Sequence, residues 1–141
     1  MRVRFEIPGE PKGKGRPRFT NMGKYVKAYT PKETASYENL VKLEYQAQCG
    51  NYKFGEDAQL DMRITAYYSI PKSVSKRKRS EMIEHKIRPT KKPDMDNVVK
   101  IVADSLNNIA YKDDTQVVDC MVRKFYGEDP KVVVIIQEAV V

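Results

Sequence analysis

A chain of 141 residues, 40% hydrophobic and 32% charged, has room for one domain with one core and too much apolar content to stay disordered. Two cysteines, Cys49 and Cys120, and the single histidine, His85, exclude a disulfide framework and a zinc site, so any metal here is held mainly by oxygen. The net charge of +7 is uneven: residues 1–32 and residues 72–92 each carry nine basic and two acidic side chains, whereas segments 33–71 and 93–141 are net acidic, a division that suits a polyanion gripped around an acidic centre.

Along the chain, residues 2–7 alternate polar and apolar and predict a first strand, ended by Pro8-Gly9. The run Pro11-Lys-Gly-Lys-Gly-Arg-Pro-Arg18 suits neither helix nor central strand and predicts an exposed loop presenting Lys12, Lys14, Arg16 and Arg18 to DNA. Thr30 as N-cap and Pro31 at the first position predict a helix with Tyr37, Leu40 and Val41 inward, stopped at Gly50-Asn51. A second strand is expected over 58–68, with Leu60, Met62, Ile64 and Ala66 on one face. Ser75 to Lys86 reads as a short polar helix carrying Lys76, Arg77, Lys78 and Arg79, a second candidate DNA contact. Residues 97–106 read as a helix with Val98, Val99, Val102 and Leu106 as its core stripe, ended by Asn107-Asn108. Two β-runs, 117–126 and 131–138, joined by Gly127-Glu-Asp-Pro130, are expected to form a hairpin. The order predicts an α+β fold: a single domain over 1–141 with a mixed sheet of about four strands and two main helices. The longest apolar run, Val132 to Ile136, is strand-sized, and the N-terminus lacks a secretory apolar segment, so no membrane role and a reducing cytoplasm are expected.

The chemistry concentrates in Lys92-Pro-Asp-Met-Asp-Asn97. Asp94 and Asp96, two apart in an extended approach, can face one cation. Asp96 also suits a helix N-cap, which by itself needs no ligand. Asp96, Lys100 and Asp104, spaced i, i+4, i+8, share a helical face; an Asp–Lys pair so spaced is commonly a surface ion pair, but beside Asp94 the lysine could neutralise a phosphate oxygen or orient water. Asp113-Asp114 is either a turn or, through Asp114, a third carboxylate reaching the first two. Three carboxylates without histidine favour magnesium or manganese.

The stretch Lys92-Pro-Asp-Met-Asp-Asn97 with Lys100 and Asp104-Ser-Leu106, followed by Asp113-Asp-Thr-Gln-Val117, closely resembles the RusA family of Holliday-junction resolvases, and Gly9–Arg18 with Tyr29-Thr-Pro31 is similar to the opening of prophage-borne members. The resemblance implies metal ligands at Asp94, Asp96 and Asp114 and a catalytic lysine at Lys100, with Asp113 the lesser candidate and Asp104 outside the catalytic set. It implies a homodimer that cuts opposed strands of a four-way DNA junction with magnesium or manganese, with no small-molecule cofactor. Two other readings stay open: a structure-specific DNA-binding protein that does not cut, and a nuclease acting on other branched or linear nucleic acid. Tyr25, Tyr29 and Tyr111 could stack on unpaired bases, but half-buried packing is the commoner use of such residues.

Overall fold

The structure, a computed structural model, describes residues 1–15 and 31–140 in full, together with the backbone of two strands between them, Arg18–Met22 and Tyr25–Tyr29. The elements are β1 (Arg2–Pro8), β2 (Arg18–Met22), β3 (Tyr25–Tyr29), α1 (Lys32–Cys49), β4 (Leu60–Ser69), α2 (Lys76–Ile83), α3 (Met95–Ser105), β5 (Val117–Gly127) and β6 (Lys131–Glu138), with a short 3-10 turn at Asp114–Gln116 before β5. The expected α+β class with a mixed four-stranded sheet holds. β2 and β3 form a separate antiparallel hairpin between the glycine-rich segment and α1. The exposed loop expected up to Arg18 therefore stops where β2 begins; Arg16 and the side chain of Arg18 lie outside the described residues, as do the side chains of Tyr25 and Tyr29.

The main sheet runs β1-β6-β4-β5, with β4 antiparallel to β6 and parallel to β5. This corrects the expected hairpin: β5 and β6 follow one another in the chain but flank β4 rather than pair. The reason lies in β4, whose Leu60, Met62, Ile64, Ala66 and Tyr68 are all buried, so it takes the centre with a partner on each edge. Residues 128–130 then pass over the end of β4, where Ser69 stands opposite Gly127 and Tyr67 opposite both Phe125 and Lys131. Two β-runs with a Gly/Pro link indicate adjacency in sequence, and only burial decides adjacency in the sheet.

α1 packs on β1 and on α3, and α3 also meets β5. From α1, Tyr37, Val41 and Tyr45 enter the core, with the Tyr45 ring edge-on to Phe5 at 5.3 Å and its hydroxyl donating to the Tyr52 carbonyl at 2.6 Å. Leu40, expected inward, is only half-buried. α1 begins at Lys32 with Pro31 in the cap position, one residue later than expected, and stops at Gly50, whose φ of 68° suits a residue without a side chain.

α3 is the amphipathic element. Val98, Ile101, Val102 and Leu106 are fully buried, while Val99, expected in this stripe, is half-buried and Ile101 takes its place. The helix starts at Met95, two residues earlier than expected, and ends at Ser105, one residue earlier, with Asn108 beyond it at the positive φ of 64° that such a terminating asparagine tolerates. Ile101→Ala is expected to cost about 2–5 kcal/mol and Val99→Ala about 1 kcal/mol or less, as measured by urea unfolding, because only the first leaves a cavity in closed packing. Equal losses would contradict this orientation of α3.

Candidate active site

The acidic motif sits where β4, the glycine-rich segment and α3 converge. The Tyr68 hydroxyl, from β4, donates to the Pro93 carbonyl at 2.6 Å, fixing the approach to α3. The Lys14 amide donates to the Asn97 carbonyl at 3.2 Å from the opposite side. Gly13 lies so close that an added Cβ would come within 2.9 Å of the Asn97 Cβ and 3.0 Å of the Pro93 Cβ. The Asp94 charge is felt by Tyr68, whose phenol is pushed up to about 12, first by burial and then by the carboxylates of Asp94 and Glu10.

The capping position of α3 falls on Asp94, not Asp96, and the Asp94 side chain makes no capping hydrogen bond. Asp96 stands in the first turn. Asp94, Asp96 and Lys100 are all exposed, and among the described residues none of the three enters a side-chain hydrogen bond or an ion pair. The commonplace roles for them, a helix cap and an i, i+4 ion pair, are therefore not taken up here. They leave uncommitted charge at the start of the helix, with Asp96 and Lys100 one turn apart on one face and Asp94 at the cap.

Asp114 meets a different part of α3. Its amide donates to Asn107 Oδ1 at 2.8 Å, and the Asn107 side-chain amide donates back to Asp114 Oδ2 at 3.5 Å. Burial, then hydrogen bonding with the Asp104 and Asp113 carboxyls, pushes Asp114 up to about 6, against the opposing hydrogen bond from Asn107. Asp113 is occupied as a cap, its Oδ1 accepting from the Thr115 amide at 3.2 Å. Gln116 locks this turn: its Oε1 accepts from the amides of Lys112 and Asp113, and its Nε2 donates to the carbonyls of Gly55 and Ala58. Asp104 faces Asp114 on one side and the Lys14 ammonium, 3.3 Å away, on the other.

The carboxylates are thus arranged in two sets along one helix, Asp94 with Asp96 at its start and Asp104 with Asp114 near its end. Eight residues separate Asp96 from Asp104, which is about 12 Å of helix. Among the described residues no group of three or more His, Cys, Asp and Glu side chains is gathered to hold a metal ion. In its chemistry the donor set, all carboxylate, suits a hard divalent cation, and Asp114 carries the crowding that a cation relieves.

The basic residues divide as well. Lys12 is exposed, whereas the Lys14 ammonium is held by Glu38 at 3.0 Å and by Asp104 at 3.3 Å and serves as an internal brace. In α2, Arg77 pairs with Glu81 at 3.6 Å and Arg79 with Glu128 at 3.7 Å, while Lys76 and Lys78 are exposed and in no ion pair among the described residues. Tyr111 is fully buried and donates to the Ala103 carbonyl at 2.7 Å, so it is a packing residue. Sequence reasoning missed Tyr68, Gly13, Asn107 and Gln116 as supports of the site. Asn107 was legible only as a helix terminator, Tyr68 and Gly13 act through contacts distant in sequence, and Gln116 combines a local capping box with Asp113 and distant bonds to Gly55 and Ala58.

Similarity to known proteins covers the same residues. The family model described as endodeoxyribonuclease RusA matches residues 8–137, which takes in the glycine-rich segment, the acidic motif and the paired-aspartate turn. This chain belongs to the RusA family. It is also 38% identical over 138 residues to the uncharacterized protein YqaN of Bacillus subtilis (strain 168), covering 96% of each chain. RusA membership makes the chain an endodeoxyribonuclease by family, and the family implies resolution of Holliday junctions. No helix among the described residues is long and apolar enough to cross a membrane.

Because folding lifts the Asp114 carboxyl from 3.8 to about 6, its ionised form is disfavoured in the folded state, and stability is lost as pH rises across that window. Asp114→Asn should therefore melt higher than wild type above pH 6, with the gap closing as pH falls toward 4, in thermal scans run with chelator. A gap independent of pH, or of opposite sign, would contradict the carboxylate crowding.

Proposed function

We propose that this protein is a magnesium-dependent endodeoxyribonuclease, with manganese as a substitute, that resolves four-way DNA junctions by paired phosphodiester hydrolysis. The observation that supports it is the uncommitted trio at the start of α3: two carboxylates and one ammonium, exposed and without side-chain partners among the described residues. Asp94, Asp96 and Asp114 are the carboxylates that would hold the cation, and because Asp114 stands beside Asp104 rather than beside the other two, the two sets would have to close together to share one ion. A divalent ion bound there would supply Lewis-acid activation of the phosphoryl group and of an attacking water. Lys100, one turn along from Asp96, offsets negative charge gathering on the phosphoryl oxygens. The rigid supports, Tyr68 on Pro93 and the Lys14 amide on Asn97, hold the start of α3 so that these side chains need little reorganisation to meet the backbone. A homodimer would offer two identical sites to two equivalent strands, and the cytoplasm is the compartment in which such DNA is met.

One observation favours a second reading, a DNA-binding protein that does not cut: Asp114 keeps company with Asp104 rather than with Asp94 and Asp96. The two readings separate on Asp96→Asn. Under the nuclease reading this variant binds a four-way junction as tightly as wild type or more tightly, having shed a repulsive charge, while magnesium-dependent cleavage falls by about 10²–10³-fold, the order expected when electrostatic stabilisation of the transition state is weakened through loss of a cation ligand. Cleavage at the wild-type rate by Asp96→Asn would overturn the assignment.

A further inference from the structure

The glycine-rich segment is a wall rather than a free arm. It is pinned at Gly9, whose amide donates to the Pro130 carbonyl at 3.1 Å, at Lys14, whose amide donates to Asn97, and at Gly15, whose amide donates to Thr34 Oγ1 at 3.0 Å. The Lys14 ammonium bridges Glu38 of α1 and Asp104 of α3 and ties the segment across both helices. Between this wall and Lys92-Pro93-Asp94 runs an open groove of about 720 Å³. Lys12 stands on one side and Lys92 on the other; both are exposed and, among the described residues, in no ion pair. Asp94 lies in the lining of the same groove, and its side chain leaves the first amides of α3 uncapped. Two such ammonium groups lining one groove beside helix amides that the Asp94 side chain does not cap suit a phosphodiester, the repulsion from Asp94 being offset by the lysines.

We infer that this groove seats a backbone phosphate neighbouring the one that is cut, with Lys12 and Lys92 as its cationic walls and Lys14 as the brace that keeps the walls apart. This rests on the nuclease reading, because the groove places DNA at the active site only if Asp94 belongs to it. Lys92 then sets the path of the strand past Asp94.

The test uses the full chain carrying Lys12→Met and Lys92→Met together, with circular dichroism and melting as the check on folding. Binding to a four-way junction is measured with chelator across a salt series. The slope of log affinity against log salt should fall by about one unit, about 0.9 for the one phosphate no longer neutralised. Junctions carrying single neutral methylphosphonate linkages, scanned through the branch point, should reveal one position that weakens wild type about 10-fold and leaves the double variant unaffected. An unchanged slope, or equal sensitivity of both proteins at every position, would overturn the groove. Failure of the nuclease reading would show separately, as wild type that binds but never cuts with magnesium present. A wild type that does not bind DNA would contradict both.

Discussion

Burial of one face of α3 is the constraint on which the rest of the molecule depends. Val98, Ile101, Val102 and Leu106 are fully enclosed in the packing that includes α1 and β5, and this leaves Asp96, Lys100 and Asp104 on the opposite face by helical geometry alone. The apolar stripe thus sets the direction of the charged row. Rotating the helix to cover Asp96 or Lys100 would expose valine and isoleucine and bury charge, and both changes are unfavourable.

The charged row is useful only because its start is held still. Tyr68 reaches it from the central strand, and the glycine-rich segment reaches it from the other side, close enough that Gly13 has no room for a side chain. A segment rich in lysine and glycine usually reads as a mobile basic arm. Here one of its lysines, Lys14, is consumed in bridging Glu38 and Asp104, and that internal use is what turns the arm into a wall. The paired-aspartate turn is built in the same way: Asp113 and Gln116 fasten the backbone, and Asp114 is left facing Asp104 and Asn107.

Local pattern made much of this legible. The strands at 2–8, 60–69 and 131–138, the amphipathic α3 and the acidic motif at its start all follow from short-range periodicity and from residue types that cap or break elements. What escaped was long-range. The insertion of β4 between β5 and β6 is decided by burial of β4, which no turn residue encodes. The commitment of Lys14, the support from Tyr68 and the company Asp114 keeps depend on contacts between residues 24 or more apart in sequence, or on the way a helix end meets a turn. The cap at α3 shows a finer limit: sequence placed it on Asp96, and the two-residue shift to Asp94 changes which carboxylate stands at the helix mouth.

If the outward face of α3 cuts branched DNA with the help of a divalent ion, wild-type protein should show it on end-labelled four-way and linear duplexes incubated in magnesium, manganese or chelator. Paired nicks in opposed strands of the four-way junction with either metal, none with chelator and little cutting of the linear duplex are the predicted result. Cutting that survives the chelator, or tight junction binding with no nicks in either metal, would contradict it.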